Sequence, residues 1–271
     1  RMSSKKKWDF LKFLILIAIV LVFFYLIMLY FHGVPVAENT SKSKVDQKHL
    51  IEKKSENDVM SSNFTEEDLD KLSKIRIKAQ QFKDINSTYI SIEDAPIDAE
   101  TKKILYERAL NLSQFGSFSK GKQTHEFENQ AYYIDRLKEL GGEKKLLEQL
   151  SFTPTNLQEI MGSEYNLVGG DFSGAYIEGK GYDSIFRSYQ NGGKLLEINE
   201  YNVSPDNTQV HFFKENINSY VNSSPSTNER IENGIYNISW ISENRLFSMS
   251  SKGMTEGEAL SIAQKIDSLT K

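Results

Sequence analysis

The residues that do most enzyme chemistry are sparse in this sequence. There is no cysteine. That excludes a disulfide scaffold, a thiolate zinc site and a cysteine nucleophile. The only histidines are His32, His49, His125 and His211. A metal hydrolase needs ligands clustered by spacing, such as two histidines one helical turn apart. No HExxH occurs, and His125-Glu126-Phe127-Glu128 reads as a polar loop of mixed charge. No metal and no cofactor is expected. Ser117-Phe118-Ser119-Lys120 has the S-x-x-K spacing that lets a lysine assist a serine nucleophile. The same spacing recurs at Ser4–Lys7 and Ser41–Lys44, as chance produces in a chain rich in both types, and no K-T-G follows. A G-x-S-x-G elbow is absent. Gly179-Lys180-Gly181 has Ser184 where a dinucleotide cradle wants its third glycine, and it leads into a β-like run, so it reads as a turn. Acids are plentiful, and Asp171, Glu178 and Asp183 in the glycine-rich stretch could converge for hydrolysis, although a solvated loop of turns is the simpler account. No catalytic residue is assigned.

Aromatic side chains carry the binding hypothesis instead. Tyr132, Tyr133, Tyr176, Tyr182, Phe186, Tyr189, Phe212, Phe213 and Trp240 are the candidates. Most must fill a core. Adjacent Phe212 and Phe213 on one strand point to opposite faces, so one of them is expected to leave the core. Phe212, Phe213 and Tyr189 are taken as the binding residues.

These groups need elements to position them. Residues 13–31, FLILIAIVLVFFYLIMLYF, hold no charge over 19 positions. A helix needs roughly 20 residues to cross the hydrocarbon core. Lys5, Lys6, Lys7 and Lys12 precede the run, and Trp8 and Tyr30 sit near its ends. The positive-inside bias places residues 1–12 in the cytoplasm and 33–271 outside the cell membrane. A cleaved signal peptide fits less well, since its apolar region is usually roughly 7–15 residues. The whole chain has net charge −4; without its first 32 residues, 28 bases and 36 acids remain, a net −8. That disfavours nucleic acid as a partner. An exported domain without cysteine points to a bacterial envelope, although seven N-x-S/T sequons occur.

Residues 32–63 are polar and read as a flexible linker. Residues 64–162 are mainly helical. Thr65 to Asp68 resembles a capping box, followed by Leu72, Ile75, Ala79 and Phe82 at helical spacing. Ser87–Ile92 is expected to be a short strand, Asp98 to cap a second helix, and Gly141-Gly142 to end a third. Residues 163–271 change character: glycines separate β-forming runs, with hairpins expected at Asn191-Gly192 and Ser242–Asn244. A capped amphipathic helix closes the chain, with Thr255, Glu258, Ala259, Ile262, Ala263, Ile266 and Leu269 in pattern. The fold class is α+β, as one domain or two: a helical portion, then an antiparallel sheet packed by the C-terminal helix.

The last elements follow one another in a recognisable order. Ile238-Ser239-Trp240, a short turn, Leu246, Phe247 and Met249, then Thr255, Glu258, Ala259, Ala263 and Ile266 resemble the end of the extracytoplasmic domain of bacterial membrane-anchored sigma-factor regulators and related envelope lipoproteins. The resemblance covers residues 182–271. Such regulators often carry a cytoplasmic sigma-binding domain; the 12 residues before this span are too few to fold one. What the resemblance implies is an anchored sensor-like or binding domain. The expected function is a non-enzymatic adaptor, assembly or sensor subunit that binds an envelope protein or component. The alternatives are an anchored hydrolase using carboxylates, or a lipid or lipoprotein carrier with a cavity between sheet and helix.

Overall fold

The computed structural model describes residues 64–82, 88–114, 116, 127–203 and 211–270. The expected membrane span at 13–31, the linker, Ser117–Lys120 and His125 lie outside them. Among the described residues no helix is long and apolar enough to cross a membrane. The described residues all belong to one compact unit, Glu56–Lys271.

Helix α1 spans Glu66–Ala79, and Thr65 and Asp68 form the expected reciprocal capping box. Helix α2 spans Ala99–Gln114, with Asp98 accepting from the Thr101 amide at 2.9 Å. Leu72, Ile75, Ile92, Tyr106, Ala109 and Leu110 form the core between them. The strand expected at Ser87–Ile92 is shorter, β1 at Tyr89–Ile90. It pairs in parallel with β7, Phe212–Phe213, and not with the main sheet.

The main sheet has seven strands in the order β2-β5-β6-β11-β10-β9-β8, all antiparallel. They are β2 Asn166–Phe172, β5 Ser184–Asn191, β6 Lys194–Asn202, β8 Ser219–Val221, β9 Ser224–Ile231, β10 Ile235–Ser242 and β11 Arg245–Lys252. The expected hairpins join β5 to β6 and β10 to β11. Between β2 and β5 a small ribbon, β3 Tyr176–Ile177 and β4 Gly181–Tyr182, contains the Gly179-Lys180 turn.

The two faces of the sheet differ. Tyr189, Leu196, Ile198, Ile238, Trp240, Phe247 and Met249 point to one face, where helix α6, Glu256–Thr270, lays down Ala259, Ala263 and Ile266. Trp240 stacks on Phe247 with ring centroids 4.9 Å apart. Each fully buried side chain of this size contributes roughly 1.5–3 kcal/mol. Small Ala259 and Ala263 let the helix come close, while Leu269 is 39% exposed and lies outside the stripe. Helices α3 (Gln130–Glu139), α4 (Glu143–Leu147) and α5 (Leu157–Met161) surround the β2 end and the core. Gly169 and Gly170 let α3 and α4 approach β2. A Cβ on Gly169 would stand 3.0 Å from the Tyr133 backbone, and one on Gly170 2.9 Å from the Leu146 side chain.

Candidate functional site

A cleft of about 580 Å³ opens where the helical half meets the sheet half. Three stretches wall it. Arg76 and Ala79 come from the last turn of α1, and Gln80 from the 3-10 turn that follows. Ser91, Glu93 and Asp94 come from the turn after β1, and Lys214 and Glu215 from the 3-10 turn after β7.

Two carboxylates hold this wall together. Glu215 is 5% exposed. It accepts from the Ser91 hydroxyl at 2.5 Å on one oxygen and from the Ile92 amide at 3.0 Å on the other. A buried carboxylate is tolerable only with such partners. Glu93 accepts from the Tyr106 hydroxyl at 2.6 Å and from the Arg76 guanidinium at 3.3 Å. That guanidinium lies 4.7 Å from the centroid of the Tyr106 ring. Burial first, then the bond to Glu93, push the Tyr106 phenol up from its ordinary value, so it stays a donor at any physiological pH. Lys102 donates to the Glu93 carbonyl at 2.9 Å and braces the same turn.

The remaining charges on the wall are Lys214 and Asp94. Each follows or precedes an anchored acid in the chain: Asp94 comes after Glu93, and Lys214 before Glu215. Lys214 is half-buried and Asp94 is exposed. Neither side chain has a hydrogen bond or ion pair among the described residues, and they do not bridge to each other. The wall is therefore fixed by its own bonds, and its charges without an ion pair are one cation and one anion. Preorganisation of this kind lowers the ordering cost of binding.

The second unusual surface is the other face of the sheet. Two rows of side chains run across it in register. One is Ser188, Glu197, Ser250, Asn237 and Glu229; the other is Phe186, Asn199, Ser248, Ser239 and Thr227. Tyr133 closes one end, its ring 4.0 Å from Phe186, and Arg108 pairs with Glu229 at 3.1 Å at the other. The Ser188 hydroxyl and the Asn199 carbonyl oxygen are buried without a hydrogen-bond partner. Burial and the nearby Glu197 and Asp171 charges push the Tyr133 phenol up.

Residues singled out in the sequence are scattered. Tyr189 is fully buried beneath α6. Phe212 and Phe213 lie on no face of the main sheet. Phe212 packs with Phe82, Tyr89, Ile217 and Ile241, and Phe213 packs against the α1–α2 core. Neither ring is exposed, because each face of the two-residue strand meets its own core. The three carboxylates do not assemble. Asp171 is bound by Tyr132 at 3.0 Å and Arg136 at 3.1 Å. Asp183 accepts from the Ala175 amide at 2.7 Å, and Glu178 is exposed on the β3–β4 ribbon. The space between sheet and C-terminal helix is filled by Trp240, Phe247, Met249 and Ile266. Among the described residues no cluster of three or more potential metal ligands occurs. The chain matches no family model, no curated protein and no solved structure.

Proposed function

We propose that this chain is a single-pass, membrane-anchored binding protein of the bacterial envelope. Residues 13–31 anchor it with the N-terminus in the cytoplasm. Residues 32–63 tether the folded unit outside, where the cleft receives a protein or envelope component without catalysing a reaction on it. One observation carries the reading: the cleft is built by its own hydrogen bonds and leaves Lys214 and Asp94 open to a ligand. Concave, largely preformed sites at the junction of substructures are where ligands usually bind. The resemblance of residues 182–271 to anchored sensor domains supports the same reading, as does the acidic balance of the exported part.

The test is photo-crosslinking of the full-length anchored chain in cells. A photoreactive residue replaces exposed Gln80 at the cleft, and a control replaces exposed Glu178 on the β3–β4 ribbon. A reproducible adduct from position 80, absent from position 178, is the expected result. Equal labelling from both positions, or none from either, refutes a binding role for the cleft.

A further inference from the structure

We infer that the ligand of this cleft is amphoteric, a small molecule or peptide with a free carboxylate and a free ammonium: Lys214 pairs with the carboxylate and Asp94 with the ammonium. The inference rests on the binding role proposed above and adds the chemical class of the ligand.

The cleft wall carries charges of both signs, but most are already committed. Glu215 spends both oxygens on Ser91 and Ile92. Glu93 takes both Tyr106 and Arg76 on one oxygen, so its charge is paired while its other oxygen stays open. The charges on the wall without an ion pair among the described residues are one ammonium on Lys214 and one carboxylate on Asp94, and ligand charge is read by these two. A purely anionic ligand would meet the Asp94 carboxylate and the nearby Glu93 and Glu215 charges. A purely cationic one would meet Lys214 and Arg76. Like charges brought together in a partly desolvated site oppose binding, so both classes are disfavoured by the wall itself. A molecule with both charges satisfies both groups. Ser91 and Gln80 add hydrogen-bonding capacity to the rim, and Ala79 a small apolar patch. The volume, about 580 Å³, is in the range of sites that enclose small ligands, roughly 300–1,000 Å³. The two free groups are held indirectly: Glu93 anchors the backbone beside Asp94, and Glu215 anchors the backbone beside Lys214. That arrangement fixes the backbone that carries both groups without consuming their charge.

Three probes separate the two charges. Trialanine has both termini free, N-acetyl-trialanine lacks the ammonium, and trialanine amide lacks the carboxylate. Binding of each to the full chain in mild detergent is measured by calorimetry. Trialanine should bind more tightly than the amide by about 10-fold, since Lys214 is half-buried, and more tightly than the acetylated form by about 3-fold, since Asp94 is exposed. Lys214→Gln should abolish the preference over the amide and keep the preference over the acetylated form. Asp94→Asn should do the reverse. Thermal melting of both variants checks that the fold is retained. Equal binding of the three probes, binding of none, or a preference that survives the matching substitution overturns the inference. If the inference fails while the position-80 crosslink persists, the cleft binds a ligand of another class. If the crosslink also fails, the binding role falls with it.

Discussion

Glu215 is the residue on which the two halves of the molecule join at the cleft, and its replacement has a calculable consequence. In Glu215→Ala the Ser91 hydroxyl and the Ile92 amide lose their acceptor together. Ile92 is fully buried, so its N–H is left without water as a substitute. A hydrogen bond to a charged group contributes roughly 1.5–3 kcal/mol, and stranding a buried donor costs roughly 1–3 kcal/mol. These terms overlap, which puts the alanine variant about 3–4 kcal/mol below the parent. Glu215→Gln retains one carbonyl oxygen for the Ile92 amide and an amide group facing the rotatable Ser91 hydroxyl. Only the charge assistance is lost, about 1 kcal/mol. The contrast between the variants is the test. Urea unfolding of the full chain measures global stability, and hydrogen exchange at Ile92 measures opening of the seam. Alanine should accelerate that exchange by at least about 100-fold and glutamine by about 5-fold, if opening follows the stability loss. Equal effects of the two substitutions, or an alanine effect below about 1 kcal/mol, would refute the assignment of Glu215 as the clamp.

Three further outcomes follow from the rest of the structure. Arg187 and Glu200 are both almost fully buried and pair at 2.5 Å, with Thr155 donating to Glu200 and accepting from Arg187; Arg187→Met leaves the carboxylate underpaired and should cost about 3–5 kcal/mol in urea unfolding. Asn199 lies on the polar face with its carbonyl oxygen buried and without a partner; Asn199→Leu should keep or raise stability, by up to about 1 kcal/mol, and a clear loss would show that the polar row supports the fold. Glu258 is held down to about 2 by Lys194 first and then by the Thr255 cap, against an ordinary value of 4.5. A depressed acid stabilises above its unfolded value and loses that contribution as pH falls. The effect should therefore be complete above about pH 4.5 and gone below about 2, and Glu258→Gln should flatten the melting temperature across that window.

Periodic elements were legible in the sequence, and polar or very short ones were not. Thr65 with Asp68 and Thr255 with Glu258 mark two helix starts because a capping box is a local exchange of hydrogen bonds. Asn191-Gly192 marks its hairpin because Gly192 takes a positive φ of 56°. Strand β9, SPSTNERI, has no such signature. Its outward and inward positions are both polar, and Pro225 argues against a strand. It forms because β10 pairs along its length, and because Asn218 and Asn216 bond to its Asn228 and Thr227. Helix α5, Leu157–Met161, is only five residues long, too short to show a period, and is held by burial of Leu157 and Met161. Phe212-Phe213 reads locally as part of a longer strand, but its parallel partner is Tyr89–Ile90, more than 120 residues earlier. Parallel pairing over that distance leaves no mark in either segment alone.

The cleft shows the same limit, and the aromatic pair shows how a site can lie beside a sequence signal that has another cause. Ile92 and Glu215 are separated by 123 positions, so no spacing rule connects them. Among 37 acids, nothing in composition distinguishes a carboxylate bound to a buried amide from one in water. Phe212 and Phe213, whose adjacency suggests a binding face, immediately precede Lys214 and Glu215. Their rings enter two different cores, one shared with Tyr89 and Ile241, the other with Leu72 and Tyr106. Two anchors in opposite directions leave the following 3-10 turn little freedom, so Glu215 is carried inward to Ser91 while Lys214 stays on the cleft wall. The aromatic pair thus positions the charge proposed to meet the ligand. Truncating either ring, Phe212→Ala or Phe213→Ala, should weaken trialanine binding in the same direction as Lys214→Gln although neither ring faces the cleft.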